Sequence, residues 1–521
     1  MALALQRHIR SPVDPDPFGT IRRLMDHREE NFLGLVQGAL SDPASPYKAL
    51  FEAAGCAYAD VADSVLRRGL EPTLEALMRE GVYVTHDEFR GRAPIIRNGR
   101  HIPTTAASWV NRQMRGDVVT SSGGSSGRSI TTNENSTSFR HMEATVLLMV
   151  HELDLFHRSI VNVGAVLPAF ALLANVVANR LKIPCEAWFA LGGATRSNLH
   201  YRILTRCMVA QMRAFGARIP WPVPLPPNDF RPVAEYLARR RNEGARTAVV
   251  GYVSAISRIA AAVVECGLDV AGCLGIVAAE SLTEAKRRVI ESAGIEPYST
   301  YGASECGMIG YPCRNLRTGN RVHVMRHAIA LTTRAREATW ADHAAPSLHV
   351  TTLLPFTPRL FVNVDIGDTG VVEPIRCDCL LSELGFDLQV SEIAAAGKLT
   401  AQGVTVAADD LVRLLEESLP ARFGGHSGDY QLIETEGNAQ TSLVLRVCPG
   451  VCAAPPGEVL DYFLSQAGHL YGGSLSVRLW THSGGIRAEL APVILGPTGK
   501  FRALRLLGPG EPPSDALSHQ H

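Results

Sequence analysis

Residues 121–128 read Ser121-Ser122-Gly123-Gly124-Ser125-Ser126-Gly127-Arg128, a stretch made almost entirely of small and polar residues. Glycines let backbone amides approach phosphate oxygens, and serine hydroxyls add hydrogen-bond donors without bulk. The stretch is not a Walker loop, because no Gly-Lys-Ser or Gly-Lys-Thr follows it. A flexible surface linker has the same composition. The apolar pair Val118-Val119 before the stretch and the long helical pattern after it favour a strand–loop–helix site for phosphate.

Three further fragments follow in order along the chain. They are Tyr301-Gly302-Ala303-Ser304-Glu305, Asp365-Ile366-Gly367-Asp368-Thr369-Gly370 and Gly496-Pro497-Thr498-Gly499-Lys500-Phe501-Arg502. Each fragment alone predicts little, because each residue has an ordinary structural explanation. Tyr301 could be a core tyrosine, Glu305 a surface glutamate and Asp368 an aspartate in a turn. Gly-Lys turns are also common at surfaces, although a lysine near a C-terminus can be carried far by a mobile module. In this order, the four fragments together predict ATP chemistry on a carboxylic acid.

The length and the net charge of the chain limit the classes of protein to which it can belong. A chain of 521 residues predicts two to four domains with a large core. Lys and Arg together number 51, as do Asp and Glu, so no net charge attracts nucleic acid or an anionic membrane. The longest uncharged stretch, residues 159–179, is about long enough to span a membrane. However, a β-like part precedes a helix-like part there, which indicates a buried strand and helix.

The cysteines and the N-terminus predict the compartment. Eleven cysteines, an odd number spread through a large chain, argue against a disulfide framework and for a reducing environment. The first apolar run is too short for a signal peptide. We therefore expect a cytoplasmic protein.

The patterning along the chain predicts an α/β body followed by a smaller α+β unit. Residues 1–100 read as mainly helical, and from about 115 to 310 apolar β-branched runs alternate with helical patterns, as in a parallel sheet. The chain becomes β-rich from about 320 to 375. Beyond Gly403 we expect a helix, a strand pair at 429–447, a second helix at 457–467 and a strand at 476–480.

The ordered motifs resemble those of the adenylate-forming superfamily of acyl-CoA synthetases, adenylation domains and luciferases, and within it the phenylacetate–CoA ligase-like branch. Residues 123–127 resemble the Ser-Gly-Thr-Thr-Gly phosphate motif of the family. Residues 278–282, followed by 298–307, resemble the adenine-binding segment that leads into Tyr-Gly-x-Thr-Glu. Gly367-Asp368 resembles the ribose-binding motif, and Gly499-Lys500 resembles the C-terminal lysine.

The resemblance implies domains and roles. It implies an N-terminal adenylation domain (1–396), a hinge (397–403) and a small mobile lid domain (404–521). Tyr301 would stack on adenine, Glu305 would hold Mg²⁺, Asp368 would accept both ribose hydroxyls, and Lys500 would bridge the substrate carboxylate and the α-phosphate. The catalytic residues implied are Lys500 and Glu305. The cofactor-binding residues implied are Ser122, Gly123, Gly124, Ser125, Ser126, Gly127, Glu280, Tyr301, Gly302, Ser304, Asp368 and Lys398.

The chain departs from the family pattern at three places. The phosphate loop has Arg128 and Ser129 where the family often has a lysine beside a proline, and Ser304 replaces a threonine. The hinge is shortened to Gly397-Lys398-Leu399-Thr400-Ala401-Gln402-Gly403 and lacks its aspartate. Because this hinge serves domain rotation in the family, adenylation is predicted more firmly than the transfer step that follows.

The resemblance therefore implies an AMP-forming acid–thiol ligase that uses ATP and Mg²⁺ and transfers the acyl group to coenzyme A. One alternative is transfer to the thiol of a carrier protein or to an amine. Another is a catalytically dead relative that binds nucleotide as a sensor or scaffold, although such a relative has no use for Glu305, Asp368 and Lys500 together. The sequence does not identify the small carboxylic acid that would be the substrate.

Four residues form a candidate metal site. Cys377-Asp378-Cys379 is a Cys-x-Cys pair, with Cys313 and His323 upstream. Three thiolates and an imidazole suit tetrahedral structural Zn²⁺, and some phenylacetate–CoA ligase-like proteins look similar here. Scattered core cysteines are the alternative. Cys306 adjoins Glu305, but the sequence shows no base beside it to activate a nucleophile.

Overall fold

The computed structural model describes most of the chain. The described residues are 8–9, 11–91, 93–114, 118–121, 131–167, 171–191, 199–226, 229–280, 282, 284–316, 320–335, 346–395, 398–399, 406–425, 428–437, 440–451, 453–470, 473–494 and 503–506.

The N-terminal region is helical, as expected. Its helices are α1 (Pro17–Asp26), α2 (Arg28–Ser41), α3 (Pro46–Ala53), α4 (Tyr58–Arg68), α5 (Leu70–Arg79) and α6 (His86–Phe89). Proline at the first position and a capping Ser45 side chain, which accepts from the amide of Tyr47, define the start of α3. The buried Tyr47 hydroxyl donates to the carbonyl of Leu360 and accepts from the amide of Val362, which ties α3 to the β-rich part of the chain.

A parallel sheet forms the first layer of the body. Its strands are β5 (Ser159–Val163), β6 (Cys185–Ala190), β7 (Pro222–Pro224), β8 (Thr247–Tyr252), β9 (Cys273–Ala278) and β10 (Ile295–Ser299). Within the described ranges they lie in the order β10-β9-β8-β5-β6-β7, with every neighbouring pair parallel. The direction of winding therefore reverses between β5 and β8. In open α/β sheets, ligands bind beyond the carboxyl ends of the strands at such a point.

Helices alternate with these strands, which confirms the α/β prediction. They are α7 (Ser136–Glu152), α8 (Ala171–Arg180), α9 (Leu199–Ala214), α10 (Arg231–Asn242), α11 (Val253–Glu265) and α12 (Glu284–Ser292). The long uncharged stretch divides into β5 and α8, as predicted. No helix in the described part of the chain is both long and apolar enough to cross a membrane.

An antiparallel sheet forms the β-rich part. Its strands are β11 (Tyr301–Ala303), β12 (Gly307–Tyr311), β13 (Val322–Val324), β14 (Ile329–Arg334), β15 (Ser347–Thr352), β16 (Val364–Pro374) and β17 (Leu388–Ala395). The described strands lie in the order β11-β12-β13-β17-β16-β15-β14. A short helix, α13 (Leu380–Glu383), follows β16. The core of this sheet is continuous with that of the N-terminal helices, for example through Phe32, Phe51 and Phe361.

Three short strand pairs complete the larger part of the chain. They are β1 (Ile95–Arg97) with β2 (Arg100–Ile102), β3 (Val118–Ser121) with β4 (Thr131–Glu134), and β18 (Lys398–Leu399) with β19 (Val406–Ala407). The last pair encloses most of the predicted hinge. The hinge itself and the domain boundaries drawn from it stay predictions.

The C-terminal unit is α+β. It contains α14 (Ala408–Arg413), α15 (Leu419–Phe423), α16 (Pro456–His469) and α17 (Gly473–His482), with a π-helical turn at Leu414–Ser418. Its strands are β20 (Tyr430–Gly437), β21 (Gln440–Val447), β22 (Ile486–Leu490) and β23 (Leu504–Leu506), in the order β22-β21-β20-β23 among the described residues.

The strand predicted at 476–480 is wrong, because these residues belong to α17. Leu475, Val477 and Leu479 alternate with Ser476 and Arg478, which suggests a strand of period two. The side chains that the helix buries are instead Leu475, Ser476, Leu479 and Trp480, a spacing typical of one helical face.

The C-terminal unit packs against α11 and α12. Apolar side chains from both parts form one continuous cluster, in which Ile256 and Leu443 are fully buried. Two polar contacts cross the same boundary. Lys286 Nζ donates to Thr441 Oγ1 at 2.6 Å, and Arg258 Nη1 donates to the carbonyl of Ser483 at 2.8 Å.

Candidate active site

The predicted phosphate loop connects two strands rather than a strand and a helix. β3 ends at Ser121 and β4 begins at Thr131, and the two strands pair antiparallel. Helix α7 starts after β4, where the Asn135 side chain accepts a hydrogen bond from the amide of Ser138 at 2.8 Å. The arrangement is therefore strand–loop–strand–helix. The residues predicted to bind phosphate lie outside the described part: Ser122, Gly123, Gly124, Ser125, Ser126 and Gly127.

The structure brings the predicted adenine and ribose residues together. The Tyr301 hydroxyl donates to Asp368 Oδ2 at 2.9 Å. Their strands, β11 and β16, are four positions apart in the sheet, which would separate them by about 19 Å if the sheet were flat. The sheet must therefore curl, so that its first strand approaches β16. Burial, and after it the charge of Asp368, raises the pKa of Tyr301 well above its ordinary value, so the phenol keeps the proton that it donates.

Glycines shape the backbone on both sides of this contact. Gly367 has φ of +83°, a conformation that side chains rarely adopt, immediately before Asp368. At Gly302 an added Cβ would lie 2.8 Å from the Met308 sulfur and 3.1 Å from the Gly307 carbonyl oxygen. A side chain at position 302 would therefore crowd β12, which favours glycine there. Ser304 is exposed in the turn between these two strands.

Glu305, the residue predicted to hold Mg²⁺, lies in the same turn and is 8% exposed. Its Oε1 accepts a hydrogen bond from Arg90 Nη2 at 2.7 Å. The N-terminal helical region therefore contributes a cation to the turn that carries Glu305, directly after the strand of Tyr301. Nothing in the spacing of the helical segment distinguishes Arg90 from a surface arginine, so the sequence offered no signal for it.

Glu280 follows β9 at the carboxyl edge of the parallel sheet. Its carboxylate accepts from the Ser254 amide at 2.7 Å and from Ser254 Oγ at 2.8 Å, at the start of α11. Ala279 before it has φ of +66°, the left-handed region that a non-glycine residue rarely adopts. Such strain at a strand end is typical of functional sites. The structure thus gives Glu280 a helix-capping contact, and its predicted role toward the nucleotide stays a prediction.

The structure describes only the backbone of one of the two predicted lysines and no part of the other. Lys398 lies on β18, where the structure describes its backbone pairing with Ala407. Lys500 lies outside the described residues, between Ile494 and the strand β23. Their roles remain as the sequence predicts them.

The four predicted metal ligands converge beside β13, which carries His323, where the segments that follow β12 and β16 meet. The ligand atoms of Cys313, His323, Cys377 and Cys379 all lie within 4.8 Å of one another. Cys313 Sγ is 3.6 Å from Cys377 Sγ, and Cys379 Sγ is 3.5 Å from His323 Nε2. Tetrahedral zinc, with bonds of about 2.3 Å to sulfur and 2.0–2.1 Å to nitrogen, separates two sulfurs by about 3.8 Å and sulfur from nitrogen by about 3.6 Å. The donor set and its spacing therefore fit this ion.

Polar groups outside the cluster orient its members. His323 Nδ1 lies 2.8 Å from the Phe386 carbonyl, to which it donates, so that Nε2 presents its lone pair to the thiols. Asn315 Nδ2 donates to Cys377 Sγ at 3.2 Å, and the Ser382 amide donates to Cys379 Sγ at 3.4 Å. Such donors stabilise thiolates in metal centres.

Glu152 joins the cluster to α7, the helix that follows β4. Its side chain, at the end of α7, is 1% exposed. Oε1 accepts from the amide of Leu380 at 2.6 Å, and Oε2 lies 3.4 Å from Arg314 Nε. The two loops that carry the cysteines are thus anchored to α7. Sequence reasoning missed Glu152 because the contact spans 228 residues.

No protein-family model and no curated protein matches the sequence. Among solved structures, the chain is similar to 2-hydroxyisobutyryl-CoA ligase in complex with 2-HIB-AMP and CoA in the thioesterification state. The identity is 16%, the match covers 92% of this chain and 89% of that chain, and the TM-score is 0.57. At this identity the likeness establishes the fold alone, and it confirms the predicted fold class of a large N-terminal and a smaller C-terminal part.

Two other solved structures match with lower scores. One is malonyl-CoA ligase with methylmalonyl-CoA and AMP bound, at 14% identity over 84% of this chain and 94% of that chain, with a TM-score of 0.43. The other is the amide bond synthetase McbA from Marinactinospora thermotolerans, at 14% identity over 92% of both chains, with a TM-score of 0.40.

Proposed function

We propose that the protein activates a small carboxylic acid with MgATP, forming an acyl-adenylate and pyrophosphate, and then transfers the acyl group to the thiol of coenzyme A. One observation carries the proposal. The hydrogen bond from Tyr301 to Asp368 unites two motifs that are 67 residues apart in sequence and that the resemblance assigns to one nucleotide. Glu305 lies in the turn that follows β11, the strand of Tyr301, which would bring a Mg²⁺ ligand to the same site.

In the first step the substrate carboxylate attacks the α-phosphorus of ATP, and the bond to the bridging oxygen of pyrophosphate breaks. We assign Tyr301 to the adenine and Asp368 to the ribose hydroxyls. Lys500 would stabilise the charge that develops between the carboxylate and the α-phosphate. In the second step the thiol sulfur attacks the acyl carbonyl carbon, AMP leaves, and the thiol proton passes to solvent.

Coenzyme A is the proposed acceptor, and a carrier-protein thiol or an amine is the second candidate. The structure similar in fold at a TM-score of 0.57 is a CoA ligase. Gly403 still ends the shortened hinge, and a few residues are enough to absorb a domain rotation. The decisive measurement is single-turnover decay of acyl-AMP on the enzyme after adding coenzyme A, a pantetheinylated carrier protein or simple amines. Faster decay with a carrier or an amine but not with coenzyme A would reassign the acceptor.

The first half-reaction is tested separately. Pyrophosphate release and hydroxamate formation should be measured across a panel of aryl, fatty and amino acids, with and without coenzyme A. We expect at least one acid to stimulate pyrophosphate release. Nucleotide binding without pyrophosphate release from any acid would favour a sensor or scaffold, the dead relative considered above.

We also propose that Cys313, His323, Cys377 and Cys379 hold one structural Zn²⁺. With three thiolates and an imidazole, the ion has no open position for substrate, so it would stabilise the fold and take no part in the chemistry. The cysteines in the described part of the chain are free thiols, which supports a reducing, cytoplasmic environment in which such a site persists.

A further inference from the structure

Arg90 forms a buried ion pair with Glu305. The Arg90 side chain is 4% exposed and that of Glu305 is 9% exposed. Arg90 directly follows α6, and its guanidinium carbon lies 5.0 Å from the centre of the Phe89 ring. An ion pair so far from water loses the hydration of both charges, and its net contribution to stability is small or unfavourable. Stability alone is therefore a weak reason for this pair.

A second guanidinium belongs to the same cluster. Arg359 is 4% exposed and lies between β15 and β16. Burial lowers its pKa to about 10, the charge of Glu305 acts in the opposite direction, and the charge of Arg90 lowers it further. Arg359 therefore stays protonated at neutral pH. Of these three side chains, two are cations and one is an anion.

The Arg90 guanidinium also keeps an unused donor. Its Nε is buried and has no hydrogen-bond partner among the described residues. Buried donors are nearly always satisfied in native proteins, so this Nε is available to donate to a bound acceptor. An acceptor with several oxygens would satisfy it, because a guanidinium presents its donors in one plane and binds phosphate in pairs of parallel hydrogen bonds.

The backbone fixes Arg90 beside the proposed nucleotide site. The amide of Val84 donates to the carbonyl of Asn363 at 3.0 Å, and the amide of Asp365 donates to the carbonyl of Val84 at 2.9 Å. The segment that carries Arg90 is therefore docked on β16, the strand that carries Asp368. Arg90 is thus connected to both residues that we assign to the nucleotide: to Asp368 through the backbone contacts with β16, and to Glu305 through its own hydrogen bond.

We propose that Arg90 binds the β- and γ-phosphates of ATP, and that its pairing with Glu305 holds both side chains in place until the nucleotide arrives. On MgATP binding, Glu305 exchanges Arg90 for the metal ion, and Arg90 exchanges Glu305 for phosphate oxygens. Each buried charge keeps an opposite charge throughout the exchange. The proposal rests on the proposed function for the presence of ATP.

The test compares nucleotides with and without these phosphates on the full-length protein. In Arg90→Ala we expect the Kd values for MgATP and pyrophosphate to rise on the order of 10–100-fold, because charge-assisted hydrogen bonds are lost. The Kd for AMP should change by less than about twofold, since AMP lacks both phosphates.

Arg97→Ala is the matched control. Arg97 Nη1 and Nη2 donate to the two Glu88 oxygens at 2.7 and 2.9 Å, and the two side chains are 12% and 8% exposed. It is a comparable buried pair on the same segment that includes neither Arg90 nor Glu305, and its loss should leave the affinities for ATP and AMP in the same ratio. Arg90→Lys keeps the charge beside Glu305 and provides a folded variant if alanine does not. Because lysine has a single ammonium in place of a planar guanidinium, the Kd for MgATP should rise several-fold and the Kd for AMP should stay unchanged.

Equal effects on ATP and AMP, or an unchanged ATP affinity in Arg90→Ala or in a folded Arg90→Lys, would overturn the role of Arg90 and leave the proposed function intact. A wild-type protein that binds neither ATP nor AMP would overturn both proposals.

Discussion

Loss of the metal from the cysteine–histidine cluster should lower the free energy of unfolding, by an amount that depends on the lengths of the loops that the ligands close. Cys313 and Cys377 are 64 residues apart in sequence, and a cross-link that closes a loop of this length removes about 4 kcal/mol of conformational entropy from the unfolded chain. His323 and Cys379 close a second, overlapping loop of 56 residues. A metal that binds only the folded chain adds its binding free energy to the stability of the fold, so it stabilises the protein as a cross-link does. Removing the ion should therefore lower the Tm by about 4 °C, since 521 residues at about 2.1 cal/mol/K each give an entropy of unfolding of about 1.1 kcal/mol/K.

The assay combines metal content with thermal unfolding. The wild-type protein, purified without chelator, should contain about one equivalent of zinc, whereas Cys379→Ser should contain little and unfold at lower temperature. Cys273→Ser is the control, since Cys273 is 1% exposed but lies outside the cluster. Its Tm is expected to fall through altered packing, with zinc unchanged. Metal-free wild-type protein, or full zinc content in Cys379→Ser, would refute the site.

Three further outcomes follow from the nucleotide site. Asp368→Ala should weaken ATP binding by about 1.5–3 kcal/mol, because both ribose hydroxyls lose a charged acceptor; an unaltered Kd would remove the ribose assignment. Lys500→Ala should slow acyl-adenylate formation by ~10²–10³ with the fold intact, and normal pyrophosphate release from the folded variant would exclude Lys500 from the mechanism. Ala279→Gly should raise the free energy of unfolding by about 0.5–1 kcal/mol, because glycine relieves the left-handed φ; chemical denaturation measures this change, and a destabilised variant would contradict the strain.

The local hydrophobic pattern is sufficient to predict an element when its apolar residues recur with the period of only one type of secondary structure. The alternation of apolar strands and helices from 115 to 310 predicted the parallel sheet, because β-branched runs and helical patterns differ in period. The same reasoning failed at 476–480, where a five-residue segment satisfies both periods. The helical face was selected there by the core of the C-terminal unit, in which Trp480 is fully buried.

The ordered motifs predicted which residues to examine, but they could not predict what each one contacts. Tyr301 and Asp368 were assigned to one nucleotide from their motifs, whereas their hydrogen bond depends on the curl of the antiparallel sheet. Glu280 is predicted to face the nucleotide, and the contact that the structure shows for its carboxylate is the cap on α11 at Ser254.

The sequence by itself determined the fold class and the helical N-terminal region, because composition and periodicity are local properties of the chain. Short motifs and the family resemblance that they carry supplied the candidate ligands. Only the tertiary structure decided that Arg90 pairs with Glu305 across 215 residues, and that Glu152 anchors the loops of the metal site. Such contacts depend on how separate elements dock. A lone arginine in a helical segment has the same local sequence whether it faces water or a buried carboxylate.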